Sequence, residues 1–169
     1  MYTIKKGCGC SQKIESRSEE IMKYKTIDEW EHYNFSEAVI GDIQTASGFF
    51  HLILDNVTIL SDNSCNRDIR DMRANDFMLK IIDSEITMLI QEGYKVLDAN
   101  GNLMQKYEDT EIEAEDFADV IKELVEGTIY QAQKKENEFE FIIDTEEHTY
   151  VLTITGTSDE EEWDRFLNK

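Results

Sequence analysis

Residues 128–155 read "TIYQAQKKENEFEFIIDTEEHTYVLTIT", and this stretch decides the fold class. Phe139, Phe141 and Ile143 alternate with Glu138 and Glu140, and Tyr150, Leu152 and Ile154 alternate with Thr149, Val151 and Thr153. A period of two is the pleat of a strand with one buried face. "KKEN" and "TEEH" are the turns, so the segment predicts a three-stranded meander. Glu138 and Glu140 then project together from the outer face of one strand.

The same pattern recurs upstream. In "FSEAVIGDIQTASGFFHLILDNVTIL", Ala38 and Ile40 share a face, and Ala46-Ser47-Gly48 makes a turn. Phe50, Leu52 and Leu54 then face one way and Phe49, His51 and Ile53 the other, which predicts a central strand covered on both sides. "FMLKIID" and "SEITMLIQEGYKVLD" resume the pattern after a long polar connection. Asn100-Gly101 is a strong hairpin signal, because both central positions of a type I′ turn need positive φ. It pairs Tyr94–Leu97 with Leu103–Tyr107.

Helix signals are fewer. In "EDFADVIKELVEG", Phe117, Val120, Ile121, Leu124 and Val125 follow helical spacing, with Gly127 placed to end the helix. Thr26 with Glu29, and Ser158 with Glu161, match the capping-box spacing. They predict a short helix carrying Ile27 and Trp30, and a final helix with a Trp163, Phe166 and Leu167 stripe. The expected fold is α+β: a largely antiparallel twisted sheet of about seven to eight strands with two to three short helices packed on it. The expected organisation is a flexible basic arm over residues 1–23 and a single domain over 24–169.

Charge narrows the function. The chain has 37 acids against 17 bases, a net charge of −20. Residues 1–25 hold six Lys/Arg and three Glu, so the remaining residues carry −23. Such a surface repels nucleic acid and anionic lipid and attracts a basic protein. The plain alternative is that the acids only keep the chain in solution. No apolar run approaches the roughly 20 residues of a membrane span, and residues 1–10 lack the apolar core of a secretory signal. A cytoplasmic location is the default.

Motifs for chemistry are weak. Cys8 and Cys10 supply at most two ligands in an unusual spacing, with Cys65 and the three histidines scattered, so they read as an incidental tail. Asp98, Asn100, Asn102 and Asp109 approximate a calcium loop, but the glycine falls at position 4 instead of 6. No nucleophile motif, phosphate-binding loop or metalloprotease signature is present, and His51 in its apolar strand reads as a core residue. Catalytic, cofactor-binding and metal-ligating residues are therefore expected to be absent.

Residues 26–59 resemble the start of some small bacterial immunity proteins of polymorphic-toxin systems. The resemblance lies in Trp30, "YNF" at Tyr33–Phe35, the Ala38/Ile40 strand and "FFHLILDNV". It implies a single acidic α+β domain that binds and blocks a toxin without catalysis, and it carries over no site residues. From Glu108 to Lys169 there are 20 acids and five bases. Glu138, Glu140, Asp159, Glu160 and Glu162 are the expected partner-binding residues. The competing expectation is a protein-interaction or structural domain with no toxin partner; an enzyme acting on a small cationic substrate is an outlier.

Overall fold

The computed structural model describes residues 22–169. Fourteen strands run in chain order as β1 (Tyr24–Ile27), β2 (Tyr33–Asn34), β3 (Val39–Ala46), β4 (Gly48–Asp55), β5 (Val57–Ile59), β6 (Met72–Ala74), β7 (Phe77–Gln91), β8 (Tyr94–Leu97), β9 (Leu103–Tyr107), β10 (Thr110–Glu111), β11 (Thr128–Lys135), β12 (Glu138–Asp144), β13 (Thr149–Thr155) and β14 (Ser158–Trp163). One α-helix, α1 (Phe117–Glu123), and two single 3-10 turns complete the described residues. The protein is thus mostly β, which corrects the α+β expectation.

The 15-residue β7 organises the main sheet. Along one edge it pairs with β13 and then, beyond a short break, with β14. Along the other it pairs with β4 and, further on, with β10. The path β7-β13-β12-β11-β3-β4 returns to β7, so six antiparallel strands close on themselves. The ring is joined at β11 and β3 by a single register pair, Thr128 with Val39, so the remaining facing edges of these two strands stay unpaired. Asp83 has a φ of 50° and sits beside the register shift against Gly48, where β7 changes partners on both edges. An extra residue at such a point bends a strand. The two segments read as separate strands are one strand because this bend interrupts the pattern without ending the pairing.

The alternating residues supply the interior. Phe50, Leu52 and Leu54 of β4, Phe77, Leu79 and Ile81 of β7, Phe139, Phe141 and Ile143 of β12, and Tyr150, Leu152 and Ile154 of β13 are all buried. Each contributes about 1.5–3 kcal/mol through removal from water. Phe49, His51 and Ile53 form the half-buried outer face of β4, which is a central strand between β3 and β7. Trp30 packs edge-on against Phe139 and Phe141 and helps cover this interior.

Both capping-box expectations are overturned. Thr26 lies in β1, paired with β14, and its hydroxyl bonds to Glu161 and Tyr33 instead of a helix start. Glu29 instead binds the backbone and hydroxyl of Ser64. Ser158 begins strand β14, whose Asp159, Glu161 and Trp163 point inward. Pairing with β7 and β1 outweighs a local start signal worth about 1 kcal/mol. The helix over residues 117–123 is shorter than its sequence pattern, with Ile121 and Leu124 buried and Val120 half-buried. The left-handed residue after it is Glu126, not Gly127. The 94–97/103–107 hairpin and the three-stranded meander pair as expected, but the hairpin turn is not type I′, because Gly101 and not Asn100 has a positive φ. Cys8, Cys10 and nearly all of the expected basic arm lie outside the described residues.

Candidate functional site

The β12–β13 turn is the shared wall of two hollows, one completed by the end of α1 and the other by the base of the β8–β9 hairpin; together they form an acidic groove with the turn in its middle. The turn is self-built: Thr145 Oγ1 donates to the His148 carbonyl at 2.8 Å, and the His148 N–H donates to Thr145 Oγ1 at 3.1 Å. This frees Glu146 and Glu147 to stand exposed at its tip. α1 is tied to the sheet by Tyr150, whose hydroxyl donates to Glu123 at 2.9 Å. Burial and the adjacent Glu123 push the Tyr150 pKa up to about 12, so this hydroxyl remains a donor. Glu126, held in a left-handed conformation, follows. On the other side of the turn the wall continues through Glu92 to Tyr94. Five glutamates, Glu92, Glu123, Glu126, Glu146 and Glu147, line this groove with His148, and no Lys or Arg does.

The expected partner-binding residues lie elsewhere and differ among themselves. Glu138 and Glu140 share the outer face of β12, with Glu138 exposed and Glu140 accepting from Gln133 Nε2 at 2.7 Å. They sit at the end of β12 away from the groove, and Glu138 is roughly 20 Å along the strand from Asp144. Glu160 and Glu162 face outward from β14 but are engaged within the fold. Lys25 approaches them at 2.9 and 3.4 Å, and Lys80 reaches Glu162 at 3.0 Å. Burial works against the Glu162 charge, yet Lys80 and Lys25 hold its pKa below the ordinary value. Hydrogen bonding to Glu160 raises the Lys25 pKa.

Asp159 is 0% exposed and cannot meet a partner from its place in the core. Its Oδ1 accepts from Lys134 Nζ at 2.6 Å. Glu161, two residues on and equally buried, accepts at Oε2 from Thr26 at 2.5 Å. Because Thr26 spends its only proton there, Tyr33 must donate to Thr26 across their 2.6 Å contact. Asp159 Oδ2 and Glu161 Oε1 have no other partner. One proton shared between them satisfies both. Burial, with the hydrogen bond to Asp159, raises the Glu161 pKa to about 9, so Glu161 carries that proton at neutral pH. The Lys134–Asp159 charges then balance without a third.

The groove acids Glu92, Glu123, Glu126, Glu146 and Glu147 carried no individual signal in the sequence. "TEEH" is legible as a turn, but its meeting with α1 and the hairpin base is tertiary. Among the described residues, no three His, Cys, Asp or Glu side chains are grouped to hold a metal ion, and no helix is long and apolar enough to cross a membrane. No known protein family, curated protein or solved structure matches the chain.

Proposed function

We propose that the chain is a non-catalytic acidic binding protein that docks onto a basic protein, as an immunity-like inhibitor of a cationic toxin or effector. The observation that carries this reading is the groove wall of five glutamates without a Lys or Arg. Acids without a cationic partner on a turn and a helix terminus attract a cationic surface over a Debye length of about 8–10 Å. They speed association more than they deepen affinity. A toxin that handles an anionic substrate has a basic cleft, and an acidic groove edge can occupy such a cleft in the substrate's place. The likeness of residues 26–59 to immunity proteins supports the same class of partner.

The test starts with capture at low salt from the cells that make this chain, followed by identification and purification of the bound protein. Stopped-flow association with that protein is then measured across ionic strength. A basic partner whose association slows steeply with added salt, and slows further with Glu146→Lys and Glu147→Lys, supports the reading. An acidic partner, or association indifferent to salt, replaces it with a protein-interaction or structural domain without a toxin partner.

A further inference from the structure

Six of the ten large apolar side chains that stay exposed among the described residues lie on one ribbon: Tyr94, Val96, Leu97, Leu103, Met104 and Tyr107. All nine residues of β8 and β9 are exposed, and these strands pair only with each other. A lone two-stranded ribbon is marginal in water. This one is held at both ends. At the tip, Asp98 Oδ1 accepts from the backbone N–H groups of Asn100 and Asn102 at 2.8 Å each, and its Oδ2 accepts from Asn102 Nδ2 at 3.0 Å. Gly101 supplies the positive φ of the turn, 86°. At the base, Tyr94 and Tyr107 stack with ring centroids 4.5 Å apart. The Gly93 N–H donates to Asp109 at 2.8 Å, and a side chain at Gly93 would meet the Tyr107 carbonyl oxygen at 2.0 Å. The ribbon is therefore shaped before anything covers it, which lowers the ordering cost of binding.

The ribbon leaves apolar side chains in water on both faces, Tyr94, Val96 and Tyr107 on one and Leu97 and Leu103 on the other, and exposed apolar surface on this scale marks a docking site. Its surroundings select the occupant. Glu92, Glu146 and Glu147 share the groove with Tyr94, and Glu108, Asp109 and Glu111 follow directly on β9. Of the ribbon's two lysines, Lys106 is already paired with Glu108 at 2.7 Å. A second copy of this chain would bring acid rim against acid rim, whereas a cationic protein would neutralise it.

We propose that the β8–β9 hairpin is the apolar anchor that the basic partner covers, with the acidic groove as its charged rim. This rests on the function proposed above and names a different part of the same contact. Charge governs approach, and burial of the ribbon governs residence. The two are separable in one experiment. The captured partner, identified and purified, is mixed with wild type, with the double variant Leu103→Ser/Met104→Ser, and with Glu146→Gln/Glu147→Gln. Both replaced apolar residues are exposed, so an unchanged thermal midpoint verifies the fold. The hairpin variant is expected to dissociate at least tenfold faster with its association rate changed less than twofold. The groove variant is expected to associate more slowly with an unchanged dissociation rate. A hairpin variant that dissociates like wild type overturns the anchor while leaving the acidic-binder reading intact. An acidic partner or salt-indifferent association overturns both. A dimer of the free chain that the Leu103→Ser/Met104→Ser variant abolishes assigns the ribbon to a second copy and overturns the anchor as proposed.

Discussion

β12 and β14 are both antiparallel strands of the main sheet and both carry acids, yet β12 turns its glutamates only outward while β14 also turns acids into the core. In β12, Phe139, Phe141 and Ile143 face the core and Glu138 and Glu140 face out. In β14, Asp159 and Glu161 face the core beside Trp163, and Glu160 and Glu162 face out. Hydrophobicity alone sets the first arrangement. The second stands because register is fixed by nine pairings, five with β7 and four with β1, the last of them at the buried Trp163. A slip of one residue would put Trp163 on the outer face. The inward carboxyls are tolerated because Lys134, Thr26 and a shared proton meet them.

The comparison breaks most readily at an inward apolar residue of β12. Phe141→Ala should cost about 3–5 kcal/mol in urea unfolding, the range for deleting a buried ring. A loss below 1 kcal/mol would mean that the β12 interior face is not the core assigned to it. On β14 the matching break is Lys134→Met, which leaves Asp159 buried without its cation. Removing one partner of a buried pair costs about 3 kcal/mol, and the part of Lys134 that reaches solvent keeps the loss at the low end. An unchanged unfolding midpoint would show that the Lys134–Asp159 contact does not help hold β14 in place.

These two strands also explain what was legible beforehand. The β12–β13 alternation, the Asn100-Gly101 hairpin and the Ala46–Gly48 turn are written in residue type, and each forms where expected. β14 was not legible as a strand, because "SDEEEW" places acids where a strand normally shows apolar residues. Its acids also imitate a helix start. Thr26 misled in the same way, since its hydroxyl serves Glu161, 135 residues away, rather than its own backbone. A capping box records local preference, and long-range pairing overrode it twice. The candidate groove was hidden for a related reason. Glu92 and Glu123 are far from Glu146 in the chain, and each comes to share a hollow with it only when the strands and α1 are assembled.

The buried pair on β14 makes a pH prediction that β12 does not share. The unfolded chain releases the Glu161 proton near 4.5, and the native chain holds it until about pH 9. The stability this proton supplies is fully present below the unfolded value and is lost as pH rises through the native one. Stability should therefore fall by up to about 2 kcal/mol between pH 7 and 9. His51, which burial and Lys80 hold below its ordinary value of 6.5, acts in the opposite sense but below that range. Glu162, held low, loses its contribution only as pH falls below 4.5. Glu161→Gln keeps a neutral donor toward Asp159 and an acceptor for Thr26, so it should flatten the decline above pH 7. A wild-type midpoint that is level from pH 7 to 9 would refute the shared proton.

The smallest effect belongs to the outward acids of β12, and it separates structure from recognition. Glu138 is exposed, and Glu140 makes a single contact with Gln133. Neither meets a Lys or Arg, unlike Glu160 and Glu162 on β14. Glu138→Lys/Glu140→Lys should thus change stability by no more than about 0.5 kcal/mol. The comparable change in β14, Glu162→Lys, faces Lys25 and Lys80 and should cost more, because it sets three cations together. Both variants remove two or four units of acidity from the surface, but neither touches the groove at the far end of β12. If the groove steers the partner, Glu138→Lys/Glu140→Lys should slow its association less than Glu146→Lys/Glu147→Lys does at the same ionic strength, because both pairs change the charge by the same amount. Equal slowing would mean that the partner senses net charge and not the groove. Greater slowing by the Glu138/Glu140 pair would move the contact to the outer face of β12, where the alternation in the sequence first pointed.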